Sequence, residues 1–441
     1  MSSLSSSSAR TFLIRLTTLA LQVPTSILVA RFLGVEGKGL YTLLTVLPWI
    51  VSYVVMGGTD TALTYYLSGG RAALRSLAVQ SFFLSLFFSV ASIPVYIYLV
   101  VPHVLGDISS VLLFISSSLI PLAFARYYLL SILLGQEKIT RFNYQYMFTS
   151  LLILLLIIIA GLINGSLPSV LGAFAAGHLV SLPLALFWIN RAPGKTGKNP
   201  SDVDSLRGIR LLRSCLFYGW RGHAGGILVT LNQRLDIFLL GALSNPKEVG
   251  LYSVAVAMAE VIWHVPMSVH LNLFPRVSAI GSLEGAGKLP RAVRMTLLIS
   301  LAVALTLFLA GRPAIHLLFG AAFLPAVDSL LILLPGVVAA GVAQVFESYF
   351  AGVDKRQYQS YSVGAAFAVG VLLCVLWVPR YGAFGAAAAS TASYSVQFLI
   401  SAGLYRRLGR LDFMAFFIPR RNDLRDIYKT ARYLAGKRIK R

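Results

Sequence analysis

Charge is scarce in this chain, and acid is scarcest. Only 12% of its 441 residues are charged, 16 Asp and Glu against 38 Lys and Arg. Soluble domains carry about 25% charged residues, so this sequence cannot cover a water-soluble protein of its size with polar surface. Cysteine is nearly missing. Cys215 and Cys374 are too few and too far apart for a disulfide framework or a zinc site. The six histidines stand singly, with no HExxH or other paired spacing, which leaves metal and redox cofactors no foothold. No nucleophile–base constellation is visible, and the reading is not an enzyme. A net charge of +22 would point to nucleic acid in a soluble chain, but a mean hydropathy of +0.77 excludes that.

What is present is apolar sequence. The hydrophobic share of 57% is roughly 250 residues, enough for about twelve spans of ~20 residues. A first stretch, 11–33, is too long and too polar for a signal peptide, with Arg15, Gln22 and Pro24 inside it. Further spans are expected near 40–66, 74–101, 109–134, 142–163 and 168–190. A polar segment then precedes six more, near 220–242, 250–274, 289–311, 324–350, 358–378 and 382–404. This predicts an N-terminal six-helix bundle over 1–190 and a cytoplasmic linker with an amphipathic helix over 191–219. A C-terminal six-helix bundle over 220–404 and a basic cytoplasmic tail over 405–441 follow.

Basic residues orient such a chain. With both termini cytoplasmic, seven cations in 191–221 and twelve in the tail fall inside, and roughly 30 of the 38 do so overall. The outer loops, 34–39 among them, are all short.

The halves repeat. Gly39-Leu40-Tyr41-Thr42 is echoed by Gly250-Leu251-Tyr252-Ser253, Gly135-Gln136-Glu137-Lys138 by Gly352-Val353-Asp354-Lys355, and Gly172-Ala173-Phe174 by Gly382-Ala383-Phe384. Three short matches in one order mark an internal duplication. Corresponding points lie an even number of spans apart, so the repeats are parallel, about an axis along the membrane normal. The expected fold is an all-α polytopic membrane protein, two six-helix bundles around a central cavity.

The stretch Ala30-Arg31-Phe32-Leu33-Gly34 through Gly39-Leu40-Tyr41 resembles the first helix junction of the oligosaccharide flippases, the polysaccharide biosynthesis proteins. Their superfamily also holds multidrug exporters and lipid II flippases. Asn232 to Asp236, followed by Leu240-Gly241 and Gly250 to Ala255, is similar to the start of that family's second half. Leu317 to Gly320 and Tyr381 to Ala387 fit as well. The resemblance implies translocation of lipid-diphosphate-linked sugars across the cytoplasmic membrane, without identifying the sugar.

Ionisable residues within spans usually face a cavity or a partner. Arg15, Thr18, Gln22 and Ser26 form one polar stripe on the first helix. It either lines the cavity or lets Arg15 snorkel to the headgroups. Arg126 lies too deep to snorkel comfortably. It is read as facing the cavity, with a structural ion pair to Asp60 as the alternative. Asn232, Gln233 and Asp236 share a face. Arg234 is about 200° from Asp236 on an ideal helix, so one of the two serves substrate and the other packs between lobes. Glu260 and His264, four residues apart, either share a coupling proton or satisfy each other structurally. Gln344 and Glu347 form a weaker pair of the same kind.

The leading expectation is a flippase working by alternating access, with the arginines meeting an anionic head. A cation-coupled multidrug exporter is the rival, kept alive by Asp60, Asp236, Glu260 and Glu347. A membrane-embedded polymerase or ligase is a remoter one. No bound cofactor is expected; coupling to a proton or sodium gradient stays open. Expected partners are the lipid-linked sugar, anionic membrane lipids and other polysaccharide assembly proteins. Basic amphipathic sequence from Ser205 to Phe217 is expected to bind those lipids.

Overall fold

The computed structural model describes residues 2–191, 208–264, 266 and 289–409. The linker before Gly208 and the basic tail from Arg410 lie outside the described residues, as do Leu206 and Arg207 of the expected amphipathic helix. Among the described residues there are helices and no strands. The order is α1 (Ser2–Val55), α2 (Thr59–Ser68), α3 (Leu74–Pro94), a π-helical turn (Val95–Val100) and α4 (Val101–Val104). Then come α5 (Ser110–Gly135), α6 (Ile139–Ile163), α7 (Leu167–Asn190), α8 (Gly208–Leu243) and α9 (Pro246–Ala259), extended by a 3₁₀ turn (Glu260–Trp263). The chain resumes with α10 (Leu289–Leu318), α11 (Ala326–Gly352) and α12 (Arg356–Gly409).

Nine described segments are long and apolar enough to cross a bilayer. Two of them, Ile14–Val55 and Arg356–Leu408, are 42 and 53 residues long. About 20 residues suffice for one crossing, so each is a pair of crossings. The bends sit at Gly34 (φ 68°) and Gly382 (φ 52°), where a side chain would resist the left-handed backbone. With α9 beginning a further crossing, the protein is an all-α polytopic membrane protein of about twelve spans.

The segment 34–39 is therefore not a loop. Apart from the Gly34 bend it is helix, and Lys38 stands at the foot of the second arm of α1. Between the spans expected at 289–311 and 324–350, the chain also stays helical as far as Leu318. The second expected span is broken at Gly57 and Gly58 (φ 61° and 70°), which separates α1 from the short α2.

The chain forms two compact units. The first contains the described residues up to Gly250 together with Leu318–Ala322, and the second contains the rest. The first helix after the linker, α8, thus packs with the first unit. Its early turns bury every fourth residue, Leu211, Cys215, Gly219 and His223, and turn Ile209, Phe217 and Trp220 outward. That face belongs in lipid or at its interface.

Two backbone features in the first unit follow from single residues. Pro48 has no N–H, so the Leu44 carbonyl loses its helical partner. Ser116 Oγ donates to that carbonyl at 2.7 Å, and lies 2.6 Å from the Tyr96 hydroxyl. The repeat glycines Gly39 and Gly250 mark a backbone crossing. A β-carbon on Gly39 would lie 1.7 Å from the Pro246 carbonyl oxygen, and one on Gly250 would lie 1.9 Å from that of Val35.

The repeat also appears in local geometry. Glu137 and Asp354 occupy the left-handed region at φ 58° and 57°. Each follows a helix end closed by the next residue's N–H, Lys138 to Leu133 at 2.9 Å and Lys355 to Phe350 at 2.8 Å. This is the six-to-one closure of a Schellman motif.

Candidate functional site

The first unit holds a partly open cavity of about 310 Å³ lined by both arms of α1 and by α5, α6 and α7. Its helices are held by a core of Val29, Tyr41, Leu44, Ile153, Ile157, Val170 and Leu171. Gln22, Thr25 and Ser26 enter from the first arm of α1, and Lys38, Tyr41 and Trp49 from the second. Arg126 enters from α5, Thr149 and Ser150 from α6, and Phe174 and His178 from α7.

Two cations reach this space. Lys38 is only 6% exposed; its Nζ donates to Ser26 Oγ at 3.2 Å and lies 5.6 Å from the centre of the Tyr41 ring. Arg126 places its guanidinium 5.5 Å from the Trp49 ring and 4.6 Å from the Tyr146 ring, and its buried Nε has no hydrogen-bond partner. His178 is 3% exposed and packs between Trp49 and Phe174, with centroids at 5.2 and 4.7 Å; its Nδ1 is also unpartnered. No carboxylate lines the cavity. Buried cations without acidic partners are costly, and an arriving anion offsets that cost through charge-assisted hydrogen bonds. The hydroxyls, amide and aromatic faces around them suit a polar, ring-bearing group.

A family model described as polysaccharide biosynthesis protein matches residues 27–328. The chain belongs to that family. No curated protein sequence matches it. Solved structures share its fold. The lipid II flippase MurJ, in an inward closed conformation, matches with a TM-score of 0.73 at 16% identity, over 90% of this chain and 87% of the other. An inward-facing multidrug resistance transporter of the MATE family, from the MOP superfamily, matches at 0.69 and 16%, over 90% and 97%. The Vibrio cholerae MATE transporter VcmN matches at 0.61 and 14%, over 94% and 100%.

Within this family member, Gln22 and Arg126 are brought together at the cavity and the other named residues are not. Arg15 donates from Nε to Asn143 Oδ1 at 3.3 Å and stands outside the lining. Asp60 is not the partner of Arg126: its carboxylate accepts from the Thr61 hydroxyl at 3.4 Å. Asn232, Gln233 and Arg234 are half-buried on α8 away from this cavity, and Asn232 and Arg234 interact elsewhere in the protein. Asp236 is buried and accepts the Ile237 backbone N–H at 2.8 Å.

The second unit holds the other two candidate acids, Glu260 and Glu347. Glu260 opens the 3₁₀ turn and lies within electrostatic reach of His264. Glu347 on α11 is 7% exposed and accepts from two amides of α12, Gln359 Nε2 at 3.1 Å and Gln397 Nε2 at 2.7 Å. Its sequence partner Gln344 instead accepts the Ser348 hydroxyl at its backbone carbonyl. Among the described residues no three His, Cys, Asp or Glu side chains are placed to hold a metal ion.

Sequence reasoning missed Lys38, Trp49 and His178. A signal for the first two exists: Lys38, Tyr41, Thr42, Thr45 and Trp49 fall on one face at helical spacing. It is legible only once 34–39 is read as helix.

Proposed function

We propose that this protein is a flippase that carries lipid-diphosphate-linked sugars across the cytoplasmic membrane by alternating access, with both termini cytoplasmic. One observation carries the reading. The cavity of the first unit presents the buried Lys38 and the half-buried Arg126, with no carboxylate in its lining. A site built to take a cationic drug needs the opposite charge, so the cavity selects against the exporter reading. Membership of the polysaccharide biosynthesis family and the shared fold with a lipid II flippase support the same choice. The diphosphate meets the cations, the sugar meets the hydroxyls and aromatic faces, and the lipid tail stays in the bilayer. The protein moves its substrate without making or breaking a bond in it. Glu347, held by two neutral amides, is the carboxylate best placed to couple this movement to a proton or sodium gradient. Anionic lipids bind the basic cytoplasmic segments, and polysaccharide assembly proteins take up the product.

The test is flipping of a fluorescent polyprenyl-diphosphate sugar in proteoliposomes. Arg126→Ala is expected to slow it at least tenfold, with the variant still monodisperse. Wild-type flipping by that variant would remove Arg126 from the site. Drug efflux without sugar flipping by the wild type would favour the exporter.

A further inference from the structure

The two cations of the cavity stand at different depths. The arms of α1 meet at Gly34, and the α6–α7 turn lies at the same end, where Phe32 packs against Gly161. The register of α5 against the second arm of α1 is set by Ser116, whose Oγ donates to the Leu44 carbonyl. From that level Lys38 lies six residues towards Gly34, about 9 Å along a helix; Arg126 lies ten residues the other way, about 15 Å. Their backbones are therefore separated by roughly 24 Å along the bundle, and their charged ends rest on different side chains, Ser26 and Tyr41 for Lys38 and Trp49 and Tyr146 for Arg126. Yet both line one continuous cavity.

The wall between them is polar. Ser26, Thr25 and Gln22 stand about 12, 13 and 18 Å from Gly34, and Thr149 and Ser150 face them from α6. Ser26, the rung nearest Gly34, is the one Lys38 touches. Neither cation is satisfied by the protein. Ser26 is the hydrogen-bond partner of the Lys38 ammonium, and Arg126 keeps a buried Nε without one. A hydroxyl and a ring face do not offset the burial of an ammonium.

We infer that Arg126 and Lys38 are two successive stations for one anionic group, Arg126 for loading and Lys38 for passage towards the Gly34 end. The inference rests on the flippase reading, in which the Gly34 end faces outward. A single strong station would hold the diphosphate in a well. Two stations joined by neutral hydrogen-bonding rungs keep binding favourable yet allow the anion to leave, the requirement that conduction places on any ion path. Lys38 is then a substrate-contacting residue of the transport step, from a segment that reads as a loop in the sequence.

The experiment separates binding from flipping with one probe, a fluorescent polyprenyl-diphosphate monosaccharide. Binding is measured on the full chain in nanodiscs, and flipping in proteoliposomes. R126A is expected to weaken binding at least tenfold. K38A is expected to bind within threefold of wild type but to flip at least tenfold more slowly, with K38R restoring most of the rate. K38Q, which retains a hydrogen-bond donor for Ser26, keeps the test open if K38A does not fold; it is expected to behave as K38A. Equal loss of binding in the Lys38 and Arg126 variants would mean one clamp, overturning the relay and leaving the flippase reading intact. Wild-type flipping by K38A or K38Q would also overturn the relay. A wild-type protein that neither binds nor flips the probe would overturn the flippase reading, and the relay with it.

Discussion

The Leu44 carbonyl shows how a single residue type sets its own requirement in hydrocarbon. Proline at position 48 removes the donor, water is absent, and a serine from another helix replaces it. Ser116→Ala should strand that carbonyl and the Tyr96 hydroxyl together. The expected cost is about 1–3 kcal/mol, read as a fall of a few degrees in the Tm of the detergent-solubilised protein. Tyr96→Phe should cost less, because Ser116 keeps its bond to Leu44. An equal loss in both variants would shift the weight from the carbonyl to the packing of Tyr96. At this scale the sequence was partly legible. A deep arginine announces itself by its cost, which is how Arg126 is read, while Gln22 comes from the polar stripe it shares with Arg15. His178 was not, since a lone histidine in an apolar run looks the same whether it packs or binds. Lys38 was hidden because a glycine followed by Glu36 and Lys38 reads as a polar loop.

At the scale of the element, hydropathy gave the existence of the helices, and glycine decided their breaks. Long apolar runs can only be helices when no water can satisfy the backbone. Whether two runs join through a bend or a loop depends on one φ angle, which composition does not specify. The same holds for crossings. Gly39→Val and Gly250→Val each put atoms where a carbonyl already sits, and little monodisperse protein is expected on size-exclusion chromatography. Gly172→Ala, whose β-carbon would meet nothing within 4 Å, is expected to purify in wild-type yield. If the two valine variants purify equally well, the crossing is not as tight as described.

For the whole molecule, the excess of basic residues reads as an address, and the flippase proposal puts only Lys38 and Arg126 on substrate. Both cysteines are buried, and burial pushes the Cys215 thiol up to about 12. A raised thiol pKa means the reactive thiolate is lost as pH falls below it, so at pH 7 to 9 Cys215 stays protonated as well as covered. Native protein should therefore resist a membrane-impermeant maleimide throughout that range, while unfolded protein is labelled. This gives a natural blank for mapping topology. Cysteine placed at Gly165 should label from outside intact cells, and cysteine at Glu137 only after lysis. The reverse pattern would invert the orientation taken from the basic residues. Two units and about twelve spans were legible from the repeat and the hydropathy. The allegiance of α8 to the first unit was not, because it is decided by which helix its buried seam meets.

The paired left-handed turns have a consequence for the history of the chain. A glutamate and an aspartate hold the same disfavoured backbone at matching places in the two halves. Many helices end this way, but the same turn on the matching sequences Gly135 to Lys138 and Gly352 to Lys355 fits descent from one ancestral half. The ancestral turn has been carried in two copies, and each copy costs about 1 kcal/mol that glycine would recover. Glycine at Glu137 or Asp354 therefore offers a protein engineer a small gain in stability at each of two duplicated turns.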